Sequence, residues 1–294
     1  MKIYFDSKDI INIIEKSTPF SVDDLEHILK SGGHELVLSF LTIMEISEPL
    51  LHKKAKSNIM GLLNRIEKLP HTFIHSSSIT RIELIEAYEA FSKGREYNDI
   101  NPYVSRFDET CDLSKKPPTH VYINYSLSGT VWDLYCFGAV GGLDAYGEKL
   151  RKIFMADRSM TNQPTPQNHF TTTVERLLSL YGLKIPSTEI EPLSSWIYDN
   201  PTRCPSERLG YELWHKMLKN ITDIPTNSDM EDYNHLCCLP YVDLMTLDRR
   251  MFNYVAQASK GLELSYDSKA AKIAKVHLPR NSGHTKGLGY SRII

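Results

Sequence analysis

Two aspartates each follow a short apolar run, Asp6 after KIYF and Asp248 after YVDLMTL, and such runs read as buried strands. On an open parallel sheet, carboxylates at the strands' carboxyl ends face the crevice where ligands gather. Asp229 and Asp232 add two acids three residues apart near a helix start, hence roughly on one face. Glu45 interrupts the apolar segment LTIMEIS, where a leucine would be expected. Crowding these carboxylates is costly, because like charges repel and each loses hydration. A divalent cation removes that cost. Mg²⁺ or Mn²⁺ suits a donor set of many aspartates with no paired His and Cys motif, and the chemistry it implies is metal-assisted hydrolysis of a phosphodiester.

Each acid also has a plainer use. Asp6 and Asp229 stand where a helix N-cap is wanted, and Asp248 is followed by Arg249 and Arg250, either of which offers a partner. Glu45 is harder to explain away, since a buried glutamate without an Arg or Lys partner is destabilising. His235, one turn beyond Asp232 on the same helix, could touch the site or a scissile phosphate, but a lone helix histidine is more often a satisfied core or surface residue, and it is ranked so. Asp243 begins the strand that Asp248 follows, which places it away from the crevice. Arg249 and Arg250 stand where substrate phosphates would be held.

The elements that position these residues alternate between strand and helix. KIYF feeds a helix over about 8–16; Ser21 caps the next, which stops at Gly32 and Gly33. Residues 35–40 read as strand, 50–69 as helix and 71–75 as strand. Thr80 with Glu83 forms a capping-box pattern for a helix to about Ser92. Residues 206–221 read as helix, and a further helix runs from Ser228 or Asp229 to about Leu239, ended by Pro240. The strand before Asp248 is then followed by a helix over 249–259 and a short strand near 262–266. The alternation predicts an α/β fold with a mostly parallel sheet. Between Gly94 and Pro205 the rhythm loosens into aromatic, proline-punctuated sequence. This predicts a largely helical inserted subdomain over 95–205, dividing a core of 1–94 and 206–266, with a basic tail over 267–294. Tyr122, Tyr125, Trp132 and Tyr135 could stack unpaired bases, although most such aromatics belong in a core.

Composition excludes little. The 294 residues carry 34 basic and 36 acidic side chains and a net charge of −2, so any nucleic-acid surface must be local. The tail after Asp267 has Lys269, Lys272, Lys275, Arg280, Lys286 and Arg292 and no acid, and reads equally as phosphate contacts or a solvated end. Five cysteines make no CxxC pair and fit no closed disulfide framework. The N-terminus has acids where a signal peptide would be apolar, and no run spans a bilayer, so a cytoplasmic protein without a membrane partner is expected.

KIYFDS, ELVLSFLTIMEI and SDMEDYNHLCCLPYVDLMTLDRRM resemble, in order, the blocks of the PIN-domain nucleases, a family that includes VapC-type toxin ribonucleases. The similarity covers about residues 1–94 and 222–266; the 95–205 insertion is a departure from small toxin-like members. The resemblance implies a three-layer α/β/α sandwich with a helical insertion. It implies that Asp6, Glu45, Asp229 or Asp232, and Asp248 bind Mg²⁺ or Mn²⁺, with Asp232 preferred over Asp229 as metal-proximal and Ser7 and Thr246 as supporting polar residues. The expected function is hydrolysis of nucleic acid, RNA more than DNA. The alternative is a catalytically inactive PIN-like module that binds nucleic acid or a protein. Expected partners are nucleic acid, a protein regulator such as an antitoxin, and a second copy in a homodimer.

Overall fold

Asp6 turns the chain from strand into helix. The computed structural model describes residues 1–15, 21–51, 56–110, 126–136, 143–160 and 165–271. In it β1 (Lys2–Tyr4) leads into α1 (Ser7–Ile14), whose first turn is capped by the Asp6 carboxylate accepting the Lys8 N–H at 2.8 Å. α2 (Val22–Gly32) opens on a capping box between Ser21 and Asp24 and stops at Gly33, whose φ of 60° is the left-handed conformation that ends helices. There follow β2 (Glu35–Ser39), α3 (Phe40–Ser47), α4 (Lys56–Lys68), β3 (His71–Ile74) and α5 (Ile79–Lys93). The middle of the chain holds β4 (Tyr103–Val104), α6 (Leu127–Cys136), α7 (Leu143–Ser159), α8 (Pro166–Leu180) and α9 (Ser187–Tyr198). The chain then continues through α10 (Pro205–Lys219), α11 (Asn227–His235), β5 (Leu244–Thr246), α12 (Arg249–Leu262), α13 (Tyr266–Lys269) and β6 (Ala270–Ala271).

The six strands form one sheet in the order β4-β3-β2-β1-β5-β6, parallel throughout except for β4 on β3. The fold is therefore α/β, with a mixed and mostly parallel sheet. Successive strand residues point to opposite faces, and the apolar pattern obeys that period. Ile3, Phe5, Leu36, Leu38 and Phe73 pack with α1, α2, α3, α4 and α6 on one side. Tyr4, Val37, Ile74 and Met245 pack with α10, α11 and α12 on the other. A third cluster, away from the sheet, joins α5 and α10 to α8 and α9 through Leu84, Phe170, Val174, Leu193, Ile197 and Tyr211. The helices of 95–205 thus lie in three places, with α6 on the first core, Phe154 of α7 in the second and α8–α9 in the third.

Four local expectations differ from what is found. Thr80 and Glu83 make no capping box: α5 starts at Ile79, and Glu83 is fully buried with partners on distant elements. The α11 cap is Thr226, and Asp229 is the third residue of its capping box. Pro240 sits inside a 3-10 turn, Leu236–Tyr241, which delays the strand to Leu244. No strand forms near 262–266 because α12 runs to Leu262 and ends on a left-handed Glu263. Trp132 and Tyr135 pack on each other at 5.2 Å between centroids, whereas Tyr122, Tyr125 and the tail beyond residue 271 lie outside the described residues. Among the described residues no helix is long and apolar enough to cross a membrane.

Candidate functional site

β2 and β3 lie on one side of β1 and β5 on the other, so the chain reverses its winding between β1 and β5. Such a switch point opens a crevice beyond the strands' carboxyl ends. Asp6 follows β1 and Asp248 follows β5, and a cleft there is lined by Asp6, Asp232, Thr246, Asp248 and His235 together with Tyr4, Met245, Leu247 and Met251.

Thr246 ties the two strand ends together, its Oγ1 accepting the Asp6 N–H at 2.8 Å. Asp248 caps α12 by accepting the Met251 N–H at 2.6 Å. Asp6 and Asp248 are thus both helix caps and cleft residues, so capping a helix does not take either side chain out of the cleft. Burial raises the Asp6 carboxyl and Glu45 adds to it, against the Lys8 N–H and His235. Asp9, one turn on, is raised by burial and by Asp6, and the Thr246 hydroxyl opposes this.

Asp232 has no hydrogen-bond donor among the described residues, and its carboxyl is pushed up to about 7. Burial is the main cause, then repulsion from Asp6, Asp248 and Glu45, with His235 opposing. One oxygen from each of Asp229, Asp232 and Asp248 lies within 4.8 Å of the others. A hard divalent cation takes oxygen ligands of this kind, and it would give Asp232 the direct partner that it lacks among the described residues, where only the charge of His235 opposes the repulsion. The residues present fit Mg²⁺ or Mn²⁺.

Asp229 is committed elsewhere in the fold. Its Oδ2 accepts the Thr226 N–H and hydroxyl at 2.5 and 2.6 Å and is ion-paired with Arg250, which also bridges to Asp223 at 2.7 Å. Arg250 therefore spans the α10–α11 connection, α11 and α12. Arg249 is exposed at the start of α12 and makes no ion pair among the described residues.

Glu45 has the partner that an acid in an apolar helix needs, and it is a histidine rather than the Arg or Lys that the sequence suggests. His235 Nε2 lies 2.7 Å from Glu45 Oε1, and Ser7 Oγ donates to Oε2 at 2.5 Å. Burial acts to raise the Glu45 carboxyl, but the hydrogen bond and charge of His235 outweigh it and hold the group below its ordinary value. Burial opposes the His235 proton, yet Glu45, Asp6 and Asp232 together raise that group. On the far side of the ring, Nδ1 lies 2.5 Å from the Tyr4 hydroxyl, which accepts from Thr42 at 2.8 Å and meets Ser39 at 2.7 Å. Doubly protonated, the imidazole donates to Glu45 and to Tyr4, and Tyr4 donates onward to Ser39.

Tyr4, Asp9 and Asp223 were not among the sequence candidates, and His235 was ranked there as a structural residue. For His235 a signal existed, since the third residue beyond Asp232 shares its helix face. Asp243 lies at the opposite end of β5, where it accepts the Lys2 N–H at 2.7 Å. Comparison with protein-family models, with curated proteins and with solved structures finds no match.

Proposed function

We propose that this chain is a PIN-like, metal-dependent nuclease that works in the cytoplasm and hydrolyses phosphodiesters of nucleic acid, RNA in preference to DNA. One observation carries the reading: Asp6, Asp232 and Asp248 come from distant parts of the chain to one cleft at the β1/β5 switch point, where Asp232 has no hydrogen-bond donor among the described residues. Asp232 and Asp248, with Asp6 or Asp229 beside them, would hold Mg²⁺ or Mn²⁺. When bound, the ion supplies Lewis acidity toward a phosphoryl oxygen and lowers the pKa of its water. Thr246 fixes the backbone of Asp6, and the caps made by Asp6 and Asp248 orient their carboxylates. Arg249, exposed next to Asp248, is available to a substrate phosphate. The preference for RNA rests on the sequence resemblance alone.

A second reading is a nucleic-acid-binding module without turnover. It is favoured by Glu45, whose two oxygens are already engaged inside the protein. Cleavage of labelled single-stranded RNA, structured RNA and DNA in Mn²⁺, Mg²⁺ or EDTA separates the two. The nuclease cuts at least one substrate with metal and loses that activity in Asp6→Asn and Asp248→Asn. Binding that persists in EDTA, with no cutting of any substrate, supports the module instead.

A further inference from the structure

The sequence resemblance counts Glu45 among the ion's ligands, but its surroundings assign it other work. Both oxygens are taken, Oε2 by Ser7 of α1 and Oε1 by His235 of α11. The His235 ring is fixed from behind by Tyr4 of β1, itself held by Ser39 and Thr42. Glu45 and His235 thereby fasten α11 to α1, α3 and β1. Asp232 lies on the same helix face one turn before His235, and both border the cleft. At its other end α11 is pinned by the Thr226–Asp229 capping box and by Arg250. Asp232 makes no hydrogen bond of its own among the described residues, so where its carboxylate points is set by these two fastenings.

We propose that the Glu45–His235 pair is a positioning clamp that aims Asp232 into the cleft, and that Glu45 is not a ligand of the ion. This rests on the metal-binding reading above. Partners hydrogen-bonded to a ligand typically change metal affinity 10- to 100-fold when removed; Glu45 and His235 act one step further out, through the α11 backbone, so the lower end of that range is expected.

The experiment is direct Mn²⁺ binding to the full chain by calorimetry or by the spin-resonance signal of the free ion, with thermal unfolding of each variant beside it. Glu45→Gln keeps an acceptor for His235 and a polar contact for Ser7, so its affinity stays close to that of wild type, whereas Asp232→Asn loses about tenfold or more. His235→Ala weakens Mn²⁺ binding about 10-fold or more although no ligand is removed, and His235→Gln, which still donates to Glu45, recovers most of the loss. A role confined to stability would lower the melting temperature of His235→Ala and leave the affinity of the folded protein unchanged, which overturns the clamp. Glu45→Gln losing as much as Asp232→Asn overturns it too, by making Glu45 a ligand. A wild-type chain that binds no Mn²⁺ removes the metal reading itself and the clamp with it, an outcome distinct from both.

Discussion

Tyr4 and His235, 231 positions apart, meet edge to face, with 5.7 Å between ring centroids and 2.5 Å between the phenol oxygen and Nδ1. The contact joins the central strand to the helix that carries Asp232. Tyr4 is 1% exposed and its partners Ser39 and Thr42 are fully buried, so those two hydroxyls cannot turn to water when the phenol oxygen is removed. Tyr4→Phe keeps the ring and deletes one oxygen, leaving His235, Ser39 and Thr42 each short of a partner. The expected loss is about 1 to 3 kcal/mol of stability, read as a lower denaturant midpoint at unchanged slope.

Adjacent arginines on α12 should behave differently. Arg250 is held between Asp223 and Asp229 with its side chain 23% exposed, so Arg250→Ala leaves two acids unpaired near the cleft. A loss of about 1 to 3 kcal/mol is expected, less than a fully buried pair would show, because solvent still reaches the group. Arg249→Ala should leave the melting temperature unchanged. If Arg249 contacts a phosphate, the variant binds nucleic acid more weakly and its salt dependence becomes shallower by about one ion. A melting-temperature drop in Arg249→Ala equal to that of Arg250→Ala would contradict the assignment.

Glu83 predicts how stability responds to pH. It is fully buried and accepts the Ser206 N–H at 2.8 Å, the Glu207 N–H at 3.2 Å and the Tyr241 hydroxyl at 2.5 Å. Burial outweighs these donors and pushes the carboxyl from 4.5 up to about 7. Over that window the folded chain keeps a proton that the unfolded chain has released. Its stability therefore falls as pH rises from about 4.5 to about 7 and levels off above, by up to about 3 kcal/mol. Glu207 lies close by, is also pushed up to about 7 by burial and by Glu83, and adds a slope of the same sign. Glu83→Gln cannot ionise, so its stability should depend less steeply on pH across this window. Chemical denaturation at pH 5, 6, 7 and 8 measures this, and an unchanged slope in the variant would refute it.

The same residue shows what local sequence can and cannot carry. The apolar run Ile3, Tyr4, Phe5 was readable as a buried strand, and Ser21 with Gly33 marked both ends of a helix, because each signal lies within a few residues. Asp6 and Asp248 were readable as strand-end acids for the same reason. Glu83 matched a capping box just as well, yet its partners are 123 and 158 positions away. Glu45 called for a cation, and the one it found is a histidine 190 positions along the chain. The resemblance prefers Asp232 over Asp229, and the physical ground for separating them lies in the fold, where Arg250 and Thr226 engage Asp229 while Asp232 has no hydrogen-bond donor among the described residues. Partners brought together only by the folded sheet leave no trace in residue spacing.

Replacing Asp6 and Asp248 by asparagine isolates charge from architecture, because each caps a helix and asparagine caps about as well as aspartate. Alanine would confound the two, since losing a cap typically costs about 1 kcal/mol. In Asp6→Asn and Asp248→Asn the Lys8 and Met251 N–H groups keep an oxygen acceptor, while one negative charge leaves a cleft where Asp232 is already forced toward protonation. Without metal, both variants should be at least as stable as wild type at pH 8, because repulsion on Asp232 falls. With Mn²⁺ the order should reverse: an ion that binds only the folded chain stabilises it in proportion to the logarithm of its concentration over its dissociation constant. Wild type should then gain more melting temperature than either variant. If Asp6→Asn or Asp248→Asn were less stable than wild type in EDTA, the carboxylate charge would be serving the fold, and loss of cleavage in that variant could not be assigned to the ion.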